Sequence, residues 1–482
     1  MKLMILGTMS NVGKSLFTVA LCRYFSNLGY KVAPFKAQNM SLNSIVSVEG
    51  GEMALSQYIQ AIAARTVPSV LMNPILLKPD VQGIEIIAKG KPIDFEKSNR
   101  RYMYDKKLEL LNIVLESFNE LAKSYEIVIL EGSGGTAEIN LKEREINNIT
   151  LAKILNCPAI LIADISNGGA FAQVAGTFEL LDDEERDLIK GFLFNKFHGD
   201  PTLLQDYPEK LAKRYNTRFL GTVTYIEHNL PEEDILSKKI GVQSELKVDI
   251  IKLPRFSNTF DFDPLFENFD VALVEEPRSD TDVIIIPGTK LPIHDLRWLK
   301  NKKDAILKSL KNKAFLIGIC GGFQILGEKL IELDQNGKVV NREDGLGLLP
   351  IETVFHPYKI TCWLTGKENL FGTIVEGYEI HRGISTPTKD VKPFAIIFKK
   401  NNAPTENFDG VILDRIIGTC FHHLFHNHQF FEKYFTMVAE EKGKSLDAIK
   451  RYDLDAQIEL IAYHFTNSID MESIFELIRF TQ

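Results

Sequence analysis

Residues 7–15 read GTMSNVGKS, and this stretch decides the fold of the N-terminal half of the chain. It ends in Gly-Lys-Ser, as a phosphate-binding P-loop does, but five residues separate Gly7 from Gly13 where the common loop has four. Residues 2–6 form an apolar run before the loop, and a segment with helical spacing follows it as far as Gly29. A strand, a loop and a helix in this order direct free N–H groups and the positive helix end at a phosphate. The stretch therefore predicts a nucleotide site with a longer loop.

The residue types in the loop suit this chemistry. Gly7 and Gly13 let the backbone turn closely around phosphate oxygens, and Lys14 would reach the terminal phosphates. The Ser15 hydroxyl would face Mg²⁺. The alternative is an ordinary strand–helix turn with a solvated lysine.

Acidic residues end two further apolar strands. Glu131 lies in VILEGSGG and Asp164 in LIADISNGG, each where a buried strand runs into a glycine-rich loop. Carboxylates at the carboxyl ends of parallel strands are well placed for metal or substrate, although either could simply cap the next helix. The predicted metal ligands are therefore Ser15, Glu131 and Asp164. Asn195, in FNKF, has the weaker pattern of a base-reading Asn-Lys pair.

Apolar runs at 125–132, 157–165 and 189–197 show little alternation, which is typical of strands buried on both faces of a parallel sheet. Residues 1–228 are predicted to form one doubly wound, mostly parallel α/β domain around the P-loop. A polar stretch follows. A second α/β series then runs through VDIIKL, VALVEE, DVIIIPG, FLIGICGG and FAIIFKK, and we place this domain at 249–435. Residues 436–482 are predicted to be a helical tail.

A second site is indicated by AFLIGICGGFQILGEKL. Cys320 stands between an apolar strand and a predicted helix, with glycines at 318, 321 and 322. Gly-x-Cys-x-Gly in this context is typical of a nucleophile elbow, which exposes the thiol and surrounds it with backbone N–H groups. A buried structural cysteine is the alternative. Cys22 and Cys157 are interpreted as packing residues.

A thiolate nucleophile needs a base, and GTCFHHLFHNHQFF carries four histidines after Cys320. Histidines beside Cys420 could also suggest zinc, but no CxxC pair accompanies them. We therefore expect one histidine of this stretch to serve Cys320.

Composition restricts the remaining possibilities. The chain has 482 residues and a formal net charge of −8, which gives no electrostatic case for binding nucleic acid. No apolar run approaches a membrane span, and no cleavage site follows the N-terminal apolar residues. The five cysteines lack the spacing of a disulfide framework. A cytoplasmic enzyme is expected, of unknown oligomeric state.

The motifs together carry a family resemblance. GTMSNVGKS resembles the longer P-loop of dethiobiotin synthetase and its relatives. With PFKAQNMSLNS, MNPILLKP, EGSGGTAEINL, GGAFAQVAGTFELL, GFLFNKFHGD, RFSNTFDFDPL, GICGGFQILG and GYEIHRG, it resembles the cobyric acid synthase family of cobalamin biosynthesis. The segments come in the family's order and span nearly the whole chain.

The resemblance implies a two-domain enzyme that takes nitrogen from glutamine. Its C-terminal domain would be a class I glutamine amidotransferase, with Cys320 as nucleophile. The family pattern Gly-Thr-Tyr-x-His-Gly-Leu-Phe, laid over residues 418–425, makes His422 the base. Many glutaminases carry Glu two residues later, where this chain has Leu424; in this branch Cys and His alone are usually assigned.

The N-terminal domain would use ATP and Mg²⁺ to convert carboxylates of a corrinoid into acyl phosphates, which ammonia then displaces. The family amidates the b, d, e and g side chains of adenosylcobyrinic acid a,c-diamide. The expected nucleotide contacts are Gly7, Thr8, Gly13, Lys14, Ser15, Lys36 and Asn195.

Five residues at three places depart from the family's pattern. Ser166 and Asn167 replace an Asp-Arg pair, Ile84 and Glu85 replace Ser-Gln, and Cys420 replaces Tyr. A synthase that makes the a,c-diamide itself, with the same parts, is the nearest alternative. A P-loop ATPase switch with an inert glutaminase-like domain is another.

Overall fold

The structure is a computed structural model, and it describes residues 1–80, 83–93, 106–231 and 241–479. The chain divides into two compact units. The first comprises Met1–Ser41, Glu52–Leu230 and Asp453–Gln482, and the second comprises Leu42–Gly51 and Pro231–Tyr452. The segment that the sequence analysis treats as one helical tail is thus shared between the units. The predicted domain limits at 228, 249 and 435 stay predictions.

A parallel sheet of six strands forms the centre of the first unit, as the uninterrupted apolar runs predict. In spatial order the strands are Arg218–Thr224, Ile189–Phe197, Ala159–Asp164, Lys2–Gly7, Ile127–Glu131 and Val32–Phe35. Neighbouring strands are parallel throughout, with Met4 opposite Ala159 and Leu130. All residues of the strand Ile127–Glu131 are buried. The predicted doubly wound P-loop domain is confirmed.

Helices and a small second sheet complete the first unit. Its helices are Lys14–Asn27, Leu55–Ala63, Lys107–Ser124, Ile149–Leu155, Ala170–Leu180, Asp183–Arg186, Tyr207–Arg214, Leu454–Thr466 and Met471–Arg479. The small sheet contains Gln38–Met40, Ile75–Asp80, Gly83–Ala88 and Lys91–Pro92.

The C-terminal helices belong to the fold of the first unit. The Arg23 side chain is fully buried and pairs with Asp455 at 2.5 Å and with Glu459 at 2.7 Å. Phe465 packs on Phe17, with ring centroids 5.6 Å apart. The helix Leu454–Thr466 is therefore fastened to the helix that follows the P-loop.

The second unit is built on another six-stranded sheet. Its order is Asp270–Val274, Lys247–Ile251, Val283–Ile286, Phe315–Ile319, Ile416–Thr419 and Val411–Leu413, and only the last pair is antiparallel. Its helices are Asp263–Phe266, Pro292–Lys300, Lys303–Lys311, Gly321–Ile325 and His428–Lys442. This arrangement confirms the predicted second α/β domain.

A further, largely antiparallel sheet was not predicted. It contains Lys329–Leu333, Val339–Asp344, Ile351–Glu368, Ile374–Pro387, Ala395–Lys400 and Ala403–Asp409. The predicted strand in FAIIFKK exists, but it lies in this sheet and not in the parallel one. An apolar run shows that a strand is present, but not which neighbour it pairs with.

Candidate functional site

Four of the predicted nucleotide-site elements meet at one edge of the first sheet. The P-loop leaves the strand that ends at Gly7, and this strand lies between those ending at Glu131 and Asp164. Asp164 is in turn paired with Asn195. Parallel strands share the direction of their carboxyl ends, so the topology brings these residues together, as the sequence predicts.

Glycine is required where the P-loop enters its helix. Gly13 has a φ of 104°, in the left-handed region, and a Cβ there would lie 2.1 Å from Nδ2 of Asn195. That amide donates a hydrogen bond to the Val12 carbonyl at 2.8 Å. Asn195 thus fixes the backbone of the loop, and base reading by this residue stays a prediction.

The Lys14 ammonium lies across the loop. Its Nζ donates to the Met9 carbonyl at 3.0 Å and to the Gly134 carbonyl at 2.8 Å. Thr8 is held separately, since its hydroxyl donates to Oε1 of Gln173 at 2.9 Å. The lysine therefore links the P-loop to the glycine-rich loop after Glu131.

Glu131 is a buried carboxylate with several donors. Ser15 Oγ donates to its Oε1 at 2.8 Å, Lys36 Nζ lies 2.9 Å from the same oxygen, and Gln60 Nε2 donates to Oε2 at 2.5 Å. Burial by itself raises the pKa of Glu131, but the charge of Lys36 and these hydrogen bonds outweigh it and lower the pKa. Glu131 is therefore ionised and fixed beside Ser15.

Asp164 is more open than Glu131. It accepts a hydrogen bond from Ser166 Oγ at 2.6 Å and pairs with Lys196 at 2.9 Å. Burial opposes ionisation, yet these partners lower the pKa of Asp164. Ser166, at one of the positions that depart from the family pattern, thus supports this carboxylate.

The predicted metal ligands have suitable chemistry. Mg²⁺ prefers oxygen ligands and commonly takes one or two carboxylates while substrate phosphates and water fill its other positions. The Ser15 hydroxyl and the ionised Glu131 and Asp164 offer such oxygens. Among the described residues, no group of three or more His, Cys, Asp or Glu side chains could enclose a metal by itself.

Cys320 stands at a sharp turn, as the elbow motif predicts. The strand Phe315–Ile319 ends just before it and the short helix Gly321–Ile325 begins just after it. Its φ of 50° and ψ of −109° are unusual for a residue with a side chain, and such strain is concentrated at functional sites. Gly322 allows the close turn, because a Cβ there would lie 2.0 Å from the Ile286 carbonyl oxygen.

His422 is the histidine that the structure brings to this thiol. The two side chains lie close enough to shift each other's pKa, and both are buried. Burial lowers the pKa of His422, but the charges of Asp261 and Cys320 outweigh it and raise the pKa to about 10. Burial raises the pKa of Cys320, but His422, and then His381, reverse the effect and lower it. The pair therefore favours thiolate and imidazolium.

Asp261 is the functional residue that the sequence analysis missed. Its Oδ2 lies 2.6 Å from Nδ1 of His422, and its Oδ1 accepts a hydrogen bond from the backbone N–H of His423 at 2.7 Å. Cys320, His422 and Asp261 thus form a thiol–imidazole–carboxylate chain. Asp261 lies in the motif RFSNTFDFDPL, but nothing in the spacing of this motif connects Asp261 with position 422.

The His422 ring is fixed from other directions as well. The Tyr378 ring stacks on it at a centroid distance of 5.1 Å, and the backbone N–H of His422 donates to the Tyr378 carbonyl at 2.8 Å. Asn258 Nδ2 lies 3.3 Å from each ring nitrogen. The imidazole has little freedom to turn away from the thiol.

The neighbouring histidines have other roles. His423 has a φ of 68°, which explains why the family pattern carries glycine there, and burial lowers its pKa to about 4. His426 lies with Nε2 2.8 Å from the Phe260 carbonyl oxygen.

The other cysteines are not activated. Burial raises the pKa of Cys22 far above its usual range and that of Cys157 to about 12. It also raises the pKa of Cys362 and of Cys420. All five cysteines lie in the described part of the chain, and only Cys320 has a lowered pKa.

No helix in the described ranges has both the length and the apolar character needed to cross a lipid bilayer.

Comparison with known proteins identifies both halves. Residues 3–236 match the CobQ/CobB/MinD/ParA nucleotide binding domain, and residues 247–430 match the CobB/CobQ-like glutamine amidotransferase domain. A probable cobyric acid synthase of Thermococcus kodakarensis is 45% identical, and the match covers 98% of each chain. A cobyric acid synthase of Thermoanaerobacter is 38% identical, with 99% of this chain and 98% of that one covered. The chain belongs to the cobyric acid synthase family and is a glutamine-dependent amidotransferase, a carbon–nitrogen ligase.

Proposed function

We propose that the protein converts adenosylcobyrinic acid a,c-diamide into cobyric acid by amidating its b, d, e and g carboxylates. Each amidation would consume one ATP and one glutamine. The likeness to cobyric acid synthases over nearly the full length of the chain supports this substrate. The residues of both sites supply chemistry that fits the reaction.

Ammonia would be released at the thiol site. The Cys320 thiolate attacks the side-chain carbonyl carbon of glutamine, and the His422 imidazolium gives its proton to the departing nitrogen. A water molecule, losing its proton to His422, then hydrolyses the thioester to glutamate and restores the thiolate. Asp261 keeps Nδ1 of the ring occupied, so that Nε2 is the nitrogen left to serve the reacting atoms.

The acid substrate would be activated at the P-loop. A carboxylate oxygen of the corrinoid attacks the terminal phosphorus of ATP, ADP departs, and an acyl phosphate forms. Ammonia then attacks the acyl carbon, and inorganic phosphate leaves with the electron pair of the broken C–O bond. Lys14 and the P-loop N–H groups would stabilise the phosphate charge.

A magnesium ion, when bound, neutralises phosphate charge. Ser15, Glu131 and Asp164 are the residues that would hold it. The ionised state of Glu131 supports this assignment, because a protonated carboxyl would be a poor ligand.

A pocket in the first unit provides a place for the acid arm of the substrate. Its lining includes Ser133, Gly135, Asn147 and Gly134. The Gly134 carbonyl also accepts the hydrogen bond from Lys14, so the pocket adjoins the P-loop. We propose that the carboxylate to be phosphorylated enters here.

The observation that carries the proposal is the buried cluster of Cys320, His422 and Asp261, in which Asp261 holds the imidazole that acts on the thiol, in a protein that also carries an assembled P-loop. A nucleotide-dependent switch would need neither an activated thiol nor a base. A glutaminase alone would not need the P-loop.

Mass spectrometry of corrinoids tests the proposal. The full-length protein is incubated with adenosylcobyrinic acid a,c-diamide, ATP, Mg²⁺ and glutamine, and samples are taken over time. Four successive amidations of the diamide are expected. Two amidations of unamidated cobyrinic acid, with none of the diamide, would instead identify an a,c-diamide synthase. ATP hydrolysis without any corrinoid product would contradict both assignments.

A further inference from the structure

The strand Ile374–Pro387 carries the motif GYEIHRG at residues 377–383, and none of the proposed reaction steps uses a side chain of this motif. Its residues surround the thiol site. A Cβ on Gly377 would lie 2.2 Å from the His422 carbonyl oxygen, and the Tyr378 ring stacks on the His422 ring. The Ile380 carbonyl oxygen lies 3.6 Å from the Cys320 sulfur. This strand is therefore a wall of the site.

His381 follows directly after the carbonyl that contacts Cys320. Its side chain is 8% exposed, and Nε2 lies 3.3 Å from Oε2 of Glu379. Nδ1 is buried and makes no hydrogen bond with any residue in the described ranges. A buried imidazole with an acidic partner on one side and an unused nitrogen on the other is costly as a purely structural element.

The surroundings favour a charged His381. Glu379 also pairs with Lys400 at 2.9 Å, and with these partners its pKa falls to about 2, although burial opposes this change. Burial lowers the pKa of His381, but Glu379 and the Cys320 thiolate outweigh it, so the pKa is raised. Glu379 is therefore a fixed anion that holds a proton on the ring.

We propose that His381 is a positioning residue of the glutaminase site: as an imidazolium held by Glu379, it provides a second positive charge that keeps the Cys320 sulfur as a thiolate. The inference rests on the proposed role of Cys320 as the nucleophile. In the proposed cycle His422 gives its proton to the departing nitrogen as the thioester forms, and it regains a proton from water as the thiolate is restored. His381 can remain protonated through both steps because its own proton is not transferred.

Other charged groups lie near His381 and Cys320, and their titration has to be considered in the experiment. The charge of Asp409, on the strand Ala403–Asp409, raises the pKa of His381. Burial raises the pKa of Asp409 itself to about 6. Lys400 faces Glu379, while His422 and Cys420 lie near the sulfur. Because Asp409 changes charge near pH 6, rates should be compared at pH 7 and above.

The test measures the reactivity of the thiol without glutamine. Full-length protein is treated with iodoacetamide between pH 7 and pH 9, and peptide mass spectrometry follows alkylation of Cys320. The variants are His381→Gln and Glu379→Gln, with His294→Gln as the matched control, since the His294 side chain is 57% exposed and lies beside Asp295 on the helix Pro292–Lys300.

In the wild type the rate should be nearly independent of pH. In His381→Gln the rate at pH 7 should fall roughly tenfold and recover toward pH 9, because loss of the nearby positive charge raises the apparent pKa of the thiol by about two units. Glu379→Gln should shift the profile in the same direction, and His294→Gln should not shift it.

An unchanged profile in folded His381→Gln and Glu379→Gln would overturn the inference, even if both variants melt at lower temperature. If His381→Gln does not fold, the profile of Glu379→Gln decides. Failure of the proposed function looks different: the wild-type label would then appear on a cysteine other than Cys320.

Discussion

The nucleotide site and the thiol site both lie at the carboxyl end of an interior parallel strand, but they are assembled differently. Most of the predicted nucleotide contacts come from residues 7–15, a single continuous stretch. The thiol site takes Asp261, Cys320, Tyr378 and His422 from four separate segments. The comparison shows that a phosphate site can be built locally from backbone N–H groups, whereas an activated thiol depends on side chains that only the tertiary fold brings together.

The two sites also use buried charge differently. Glu131 is an anion held by Lys36, Gln60 and Ser15, and none of these groups has to move during the proposed reaction. The Cys320 thiolate is held by His422, which must transfer its proton. If this contrast is correct, damage to one site should leave the other chemically intact.

The largest effect is expected from Cys320→Ala. Glutamine-dependent amide formation should fall by roughly a thousandfold or more, because no other group can form the thioester. Synthesis supported by an ammonium salt should remain close to the wild-type rate, since the P-loop is untouched. The measurement compares ADP release and corrinoid products with the two nitrogen sources.

Cys22→Ala is the matched control for this substitution, because Cys22 is a buried cysteine with a raised pKa. It should use glutamine at a nearly normal rate. Normal glutamine consumption by Cys320→Ala would show that the thiol assignment is wrong.

A somewhat smaller loss is expected from Lys14→Ala, and it should affect both nitrogen sources. Amide formation should fall by roughly a hundredfold or more, because the charge that stabilises phosphoryl transfer is lost. Alkylation of Cys320 by iodoacetamide should be unchanged. The exposed Lys210, which pairs with Asp206, offers Lys210→Ala as a control with little effect.

If Lys14→Ala retained ammonia-supported synthesis, the P-loop would have no place in acid activation. If it lost Cys320 reactivity as well, the two sites would not be chemically separable and the comparison would fail.

Asp261→Asn tests the residue that joins the thiol site together. The kcat/KM for glutamine should fall by roughly a hundredfold, because the amide favours the wrong tautomer of His422 and cannot stabilise its charge. Ammonia-supported synthesis should be retained. Steady-state glutaminase kinetics and the ammonia assay together provide the measurement.

Asp263→Asn is a close control. Asp263 is a buried carboxylate in the same motif, with Tyr452 at 3.4 Å. Equal losses in the two variants would mean that the motif acts through stability and not through His422.

The smallest effect concerns stability and acid pH. The pKa of Glu379 is about 2 in the folded protein and near 4.5 in an unfolded chain, so its ionised form stabilises the fold above pH 4.5. This contribution should decline as the pH falls from 4.5 toward 2. The difference in free energy of unfolding between the wild type and Glu379→Gln should widen as the pH falls from 7 to 5, because Glu379 also raises the pKa of His381, and it should narrow below pH 4.5.

Urea unfolding at a series of pH values provides the measurement. A difference that does not narrow between pH 4.5 and pH 2 would show that Glu379 is not the fixed anion that the His381 inference requires.

Much of the fold was readable from the sequence because its signals are local. Runs such as YEIVILEG have buried side chains on both faces, and they became neighbouring parallel strands. The P-loop followed from its glycines and its flanking elements. The sharp turn at Cys320 was predictable because glycines flank the residue between an apolar strand and a helix.

The unpredicted parts depend on distant partners. Asp261 and His422 are 161 residues apart, and no periodicity or spacing encodes their contact. The strand Ala395–Lys400 was visible as an apolar run, yet its pairing with Ile351–Glu368 depends on strand register. Side-chain patterns identify elements, whereas pairing is decided by the packing of the whole unit.

The return of the chain to its first unit has a consequence for biosynthesis. Arg23 cannot pair with Asp455 and Glu459 until the residues that follow the second unit have been synthesised. The ribosome therefore synthesises the whole of the second unit before the first unit can bury the Arg23 guanidinium with its two acidic partners. The half that is translated first is the half that is completed last.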